Sequence, residues 1–281
     1  MPKISVVMPV HNTEEEYLRE SVESILNQTY TDFEFIIIDD SSTDTSCNII
    51  KEYNDSRINY QRVDSLSLPK ALNYGLELAQ GEYIARMDAD DISLPTRFEK
   101  QVDFLDKNKE ISVLGTWLEN FPEKLVVKTP ENPKIIDFAI GCYIGHPTVM
   151  FRKKDFDKYD LRYRDDYYCE DYDLWSRASR ILNFHNLQEV LVMRRDYETN
   201  KSNQNLLKLY EDTEKIQTNI LNSIVSNSLL KSLLKACIMP NNQKPLTFFE
   251  KIFSVKLNIS YEKIHTVIRI FGLKFSVKGD F

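Results

Sequence analysis

Between Ile4 and Asn108 the chain alternates four short, β-branched apolar runs with four amphipathic stretches. The runs "ISVVMPV" (Ile4–Val10), "FEFIIIDD" (Phe33–Asp40), "RINYQRV" and "EYIARM" read as strands. The second is apolar enough to be buried on both faces of a parallel sheet. The intervening segments place Leu18, Val22, Ile25 and Leu26, then Leu68, Leu72 and Leu76, then Phe98, Val102 and Leu105 at helical spacing. Pro95 stands near the start of the fourth helix, where a missing N–H does no harm. Regular alternation with short connections predicts an α/β fold, a Rossmann-like, mostly parallel sheet flanked by helices.

Such sheets bind ligands beyond the carboxyl ends of their strands. The polar clusters after strand patterns, "HNT", "DDSSTD" and "DADD", are therefore expected along one edge of the sheet. From about residue 110 the pattern loosens. "ISVLGTWLEN", "HPTVMFRK" and "LQEVLVMRR" read as strands and "EDYDLWSRASRIL" as a helix with Leu174, Trp175, Ala178, Ile181 and Leu182 inward. Beyond residue 200 a helical stretch leads to "HTVIRIFGLKFSVKG", which alternates like a short strand pair. The expected divisions are residues 1–110, 111–200 and a basic, helical extension over 201–281.

With 281 residues, 42% hydrophobic and 28% charged, the chain has the composition of an ordinary globular protein. No apolar run reaches the roughly 18–20 residues of a membrane span. "MPKISVVMPVHN" reads as a first strand rather than a leader. Cys47, Cys142, Cys169 and Cys237 form no C-x-x-C pair, which speaks against zinc or a disulfide framework and for a reducing cytoplasm. The net charge of −7 is uneven: residues 201–281 carry 12 Lys/Arg against 6 Asp/Glu, while the first 200 stand at −13. An acidic body speaks against nucleic acid as partner.

"DADD" places Asp88, Asp90 and Asp91 within four residues at the end of a strand. A capped turn explains one carboxylate there, not three. A hard divalent cation that keeps waters and substrate phosphates in its shell would relieve the repulsion. The chain has two other D-x-D triplets, Asp155–Asp157 and Asp171–Asp173, so the pattern alone is weak. In "IIIDDSSTD", Asp39 either caps a turn or accepts hydrogen bonds from a base or ribose. No G-x-G-x-x-G follows the first strand and no G-x-x-x-x-G-K-S/T occurs anywhere, which disfavours dinucleotide and P-loop classes. "CEDYDLWSR" is either an acidic first helical turn with Trp175 in the core or a general base beside a sugar-stacking aromatic.

In this order these segments resemble family 2 glycosyltransferases, inverting enzymes of the GT-A fold that build bacterial surface polysaccharides. The resemblance spans about residues 3–195. It implies that Pro9, His11 and Asn12 line a nucleotide pocket, that Asp39 contacts the base with Asp40 beside it, and that Asp88 lies near the ribose and the metal's waters. Asp90 becomes the direct ligand of Mg²⁺ or Mn²⁺, and Asp171 the base that deprotonates the acceptor. Lys70 stands where the family has a glycine-containing loop and is a candidate for the nucleotide phosphates. His146, Tyr168, Glu170, Trp175 and Arg177 are candidates for the acceptor side. The implied reaction moves a hexose or N-acetylhexosamine from a nucleotide-sugar donor, with UDP favoured, to a surface glycan or a polyprenyl-diphosphate-linked acceptor.

Two rivals share parts of the pattern. A metal-dependent nucleotidyltransferase also sets acidic ligands on an α/β sheet, and a non-catalytic relative would keep only the binding residues. A signalling receiver domain is shorter and wants its acidic pair after the first strand, where this chain has "PVHNT". In the extension, Leu229, Leu230, Leu233 and Leu234 with Lys231 and Lys235 form a basic amphipathic stretch. It reads either as a helix packed on the catalytic domain or as a peripheral contact with the cytoplasmic face of the inner membrane.

Overall fold

The computed structural model describes residues 1–197 and 205–224 in full and the backbone of 253–260, 263–270 and 273–279. The N-terminal half follows the expected alternation. Its elements are β1 (Ile4–Val10), α1 (Glu15–Leu26), β2 (Phe33–Asp40), α2 (Ser46–Glu52), β3 (Ile58–Val63), α3 (Leu68–Leu78) and β4 (Tyr83–Arg86). Strand β5 (Ile92–Ser93) and helix α4 (Arg97–Lys107) follow, then β6 (Ile111–Phe121), β7 (Leu125–Val127) and α5 (Ile135–Phe138). A single 3-10 turn at His146–Thr148 leads into β8 (Met150–Arg152), α6 (Lys153–Lys158), α7 (Glu170–Ala178), β9 (Asn183–Arg195) and α8 (Leu206–Ile224).

One sheet runs in the order β3-β2-β1-β4-β8-β6-β9-β5, with β7 paired to β6. Strands β3, β2, β1 and β4 are parallel, as the alternation requires. The second half departs from a mostly parallel sheet. Strand β8 enters antiparallel to both β4 and β6, and β9 returns parallel to β6 with β5 antiparallel at its far edge. Without a helix between every pair of strands, nothing forces one direction.

The two faces of β1 show how the layers form. Ile4, Val6, Met8 and Val10 join Leu18, Val22 and Ile25 of α1 and Phe98, Val102 and Leu105 of α4 in one buried cluster. On the other face α3 comes so close that a Cβ on Gly75 would stand 2.5 Å from Val7 Cγ1. Helix α7 ends earlier than its pattern suggests, at Ala178, so Ile181 is exposed rather than inward.

The chain divides into two compact units, Met1–Ile220 and Leu221–Phe281. In the second, β10 (Phe253–Ser260), β11 (Lys263–Ile270) and β12 (Leu273–Gly279) form a three-stranded antiparallel sheet. The extension over 201–281 is therefore helical at its start and ends in strands, one more than the alternation near its end suggested. The Leu229–Lys235 stretch lies outside the described residues. Among the described residues no helix is long and apolar enough to cross a membrane, and Cys47, Cys142 and Cys169 are free thiols.

Candidate active site

Strand β1 lies between β2 and β4, so the polar clusters that end these three strands meet at one edge. The first two interlock. The His11 ring donates from Nδ1 to the Asp40 carbonyl at 2.6 Å, which fixes its tautomer because a carbonyl only accepts. Asn12 adopts a left-handed backbone, φ 48°, and its Oδ1 accepts from the Thr43 N–H at 2.7 Å. Its own N–H donates to Ser42 Oγ at 3.1 Å. Asp40 caps the facing loop by accepting from the Leu66 N–H. His11, Asn12 and Asp40 thus share one surface shelf, with Pro9 just before His11 in β1.

Asp39 is held differently. It is fully buried. Oδ1 accepts from the Ser42 N–H at 2.9 Å, and Oδ2 from the Tyr60 hydroxyl at 2.6 Å and Arg62 Nη1 at 2.9 Å. Burial alone would raise its pKa, but these bonds and the Arg62 charge outweigh it and hold the carboxyl below its ordinary range. Any ligand that reaches Asp39 must first displace Arg62, whose side chain is the exposed member of the pair.

The repulsion within "DADD" is met by arginines. Arg86, buried at the end of β4, pairs with Asp88. Arg195 at the end of β9 donates its backbone N–H to Asp91 Oδ1 at 2.9 Å and its Nε to the Asp90 carbonyl at 3.0 Å, and pairs with Glu20. Its guanidinium is sandwiched between the rings of Tyr17 and Phe121, 3.8 and 4.5 Å from their centroids. Tyr197 donates its hydroxyl to Asp90 Oδ2 at 2.7 Å. Burial and the neighbouring charges push Asp90 up, and Asp91 further still. Arg97, wholly buried beneath the turn, is pushed down to about 9 by burial and by Arg86, still cationic at neutral pH.

A cleft of about 470 Å³ opens beside this turn. Asp88, Asp90 and Asp91 form one wall, Asp171 enters from the first turn of α7, and His146 and Pro147 from the 3-10 turn. Three segments far apart in the chain therefore share one cavity. Among the described residues no group of three or more His, Cys, Asp or Glu side chains converges into a ready-made metal cage. The oxygen-only donors at the wall fit an ion of Mg²⁺ or Mn²⁺ type that takes the rest of its shell from a diphosphate and water.

Of the other residues expected on the acceptor side or at the phosphates, all but His146 fall outside or beneath the cleft. Trp175 is fully buried against Phe151, Phe156, Phe184 and His146, so it offers no face for a sugar to stack on. Glu170 is buried in the first turn of α7. Arg177 is bound to Asp173 and the Arg162 carbonyl. Lys70 pairs with Asp165 on an exposed helix start. The Tyr168 N–H is fixed by Asp212. His146 alone of this group lines the cleft, its Nε2 2.9 Å from the Tyr163 hydroxyl. Arg86, Arg194, Arg195 and Tyr197 are additions that the sequence did not single out. The one available signal was "MRRDYE", a basic and aromatic run just past a strand.

A Rossmann-like half joined to a mixed half, with acidic residues at the strand edge, defines a GT-A fold. The sequence model of glycosyl transferase family 2 matches residues 5–169, and the chain belongs to that family. It is a glycosyltransferase. The O-antigen biosynthesis glycosyltransferase WbnJ of Escherichia coli is 38% identical over 225 residues, 74% of this chain and 85% of the relative. An E. coli UDP-Gal:alpha-D-GlcNAc-diphosphoundecaprenol beta-1,3-galactosyltransferase is 32% identical over 215 residues, 71% and 77% of the two chains. In fold, the chain resembles S. aureus TarS 1–349 solved with UDP-GlcNAc, with a TM-score of 0.69 and 19% identity over 88% of this chain and 73% of that one.

Proposed function

We propose that the protein is an inverting transferase that moves a hexose or N-acetylhexosamine from a nucleotide-sugar, UDP favoured, to a growing bacterial surface glycan. The observation that carries this reading is the single cleft uniting Asp88 and Asp90 with Asp171, some eighty residues later in the chain. The O-antigen role in the name of WbnJ and the UDP-sugars named for the galactosyltransferase and the TarS complex favour the same class of donor and product.

In the proposed reaction the acceptor hydroxyl lies against Asp171, which takes its proton as the oxygen attacks the anomeric carbon. The bond to the acceptor oxygen forms as the bond from that carbon to the diphosphate oxygen breaks, on the opposite face, and configuration inverts. The nucleoside diphosphate leaves with the bonding pair. Asp90, with Asp88 beside it, would hold a divalent ion that neutralises charge on the departing diphosphate. The shelf of Pro9, His11, Asn12 and Asp40 would receive the nucleoside, and Asp39 the base once Arg62 has turned aside. Lys70, proposed for the phosphates, would have to leave Asp165 to serve there. His146 and Tyr168 remain proposed for the acceptor side.

Calorimetric titration with UDP, GDP and TDP, with and without Mn²⁺, on the wild type and Asp90→Ala tests this reading. Metal-dependent UDP binding that Asp90→Ala abolishes is the expected result. Binding of GDP or TDP instead would change the donor, and no nucleotide binding by folded protein would overturn the reading.

A further inference from the structure

The cleft is lined by two arginines with different fates. Arg195 is committed to Glu20, Asp90 and Asp91. Arg194 lines the same cleft yet its side chain, among the described residues, has no ion pair and no hydrogen bond, and its Nε is buried without a partner. A buried guanidinium N–H without an acceptor is unfavourable, because water has been removed from it and nothing replaces it. Thr129, also in the lining, has a buried Oγ1 without a partner.

Strand register shows which part of the cleft Arg194 serves. Phe121 pairs with Arg195, whose guanidinium lies over the rings of Phe121 and Tyr17 and which also bonds to the aspartate turn. Side chains alternate along a strand, so Arg194 projects to the other face. That face also carries Leu118, whose partner in the register of β7 is Val127. Leu118, Val127 and Ile144 line the cleft as an apolar strip with Arg194 and Thr129 at its margin. The aspartates are contacted instead by Arg195, from the other side of the strand.

We propose that Arg194 is the anion-binding residue of an acceptor subsite, and that the acceptor carries a phosphate or carboxylate near the hydroxyl presented to Asp171. The inference rests on the glycosyl-transfer reading above and names the chemical class of its acceptor. An arginine fork takes either oxyanion through two parallel N–H donors, and the apolar strip beside it takes the carbon face of the attached sugar or the start of a lipid chain. Two sources supply such an anion: the diphosphate that joins a first sugar to a polyprenyl lipid, or an acidic sugar within the glycan.

The test uses the full chain saturated with UDP and Mn²⁺, so that the donor wall is blocked. Geranyl diphosphate, octyl glucuronide and neutral octyl glucoside are titrated and followed by saturation-transfer NMR, on the wild type, Arg194→Ala, Arg194→Lys and Thr129→Val. One of the two anionic probes binds the wild type and octyl glucoside binds far more weakly. Arg194→Ala weakens the anion about ten- to a hundredfold, Arg194→Lys restores part of it, and UDP binding is unchanged. Preference for the diphosphate assigns the lipid linkage, and preference for the glucuronide an acidic sugar. Equal binding of the neutral glucoside, or anion binding indifferent to Arg194, overturns the proposal. So does loss of UDP binding in Arg194→Ala with its circular dichroism unchanged, which would assign Arg194 to the donor. If the wild type binds no nucleotide, the donor reading falls, while the anion titrations repeated without UDP still decide the role of Arg194.

Discussion

The Tyr197 hydroxyl donates to Asp90 Oδ2 at 2.7 Å, joining the end of β9 to a turn 107 residues earlier. Together with the Arg195 N–H on Asp91 and its Nε on the Asp90 carbonyl, this makes the end of β9 the support for the aspartate turn. Arginine charge on one side and a phenol on the other let three carboxyls stand within four residues. The proposed ligand Asp90 thereby has its orientation fixed by a residue outside its own motif.

Tyr197→Phe removes that bond and leaves the ring packed against Tyr17. Burial and Asp88 already push Asp90 up, and Tyr197 is the largest of the groups that pull it down, ahead of its own backbone N–H and Arg86. Without the phenol the carboxylate becomes harder to ionise. At a fixed Mn²⁺ concentration the acid limb of the pH profile of kcat/KM therefore moves to higher pH. An unmoved acid limb would show that Asp90 does not control that ionisation.

Asp171→Asn keeps the shape of the first turn of α7 and removes the proposed base. Turnover falls about 10²- to 10⁴-fold, while nucleotide affinity and thermal midpoint stay at wild-type values. Single-turnover assays beside calorimetry separate the two quantities. A parallel loss of nucleotide affinity would assign Asp171 to the donor.

Asp39→Ala tests whether the buried carboxylate is as structural as its contacts suggest. The change leaves the Ser42 N–H, the Tyr60 hydroxyl and Arg62 without their acceptor. The expected loss is about 3 kcal/mol, or roughly 6–12 °C in thermal midpoint for a domain of this size. Arg62→Ala uncovers Asp39 and costs less, because the arginine is half exposed. Weaker nucleotide binding by Asp39→Ala with no shift in melting would make Asp39 a ligand contact alone.

Much of this was legible in the chain itself. The β1 to α4 alternation is carried by apolar periodicity, which burial on two faces of a sheet enforces. The acidic clusters stood out because each follows a strand pattern. What sequence did not show depends on pairings between distant segments. Strand β5 has two residues, too few for any periodicity, yet its pairing with β9 brings Arg195 and Tyr197 to the aspartates. Trp175 offered two readings, core or sugar platform, and helical spacing could not choose between them. Burial chose the core. Helices α5 and α6, of four and six residues, are likewise fixed by tertiary contacts rather than by their own pattern.

Asp212 links α8 to the proposed base. Its carboxylate is fully buried and accepts from the Tyr168 N–H at 2.9 Å, Lys208 Nζ at 3.1 Å and Lys215 Nζ at 3.0 Å. Tyr168 lies three residues before Asp171, so the helix holds the segment that leads into α7. Burial alone would raise this carboxyl, but the N–H and the two ammonium groups outweigh it and the folded pKa lies below the unfolded one. A depressed carboxyl stabilises the fold above its unfolded pKa, and that contribution is lost as pH falls through the folded value. Asp212→Asn should therefore be less stable than the wild type by about 1–3 kcal/mol at pH 7 and draw level with it only below about pH 4. Urea midpoints at pH 7, 5 and 3.5 measure the gap, and a gap constant across that range would rule out the charge as its source. If α8 also positions the base, the same variant loses kcat at neutral pH while its nucleotide affinity is kept, because the donor wall is built from other strands.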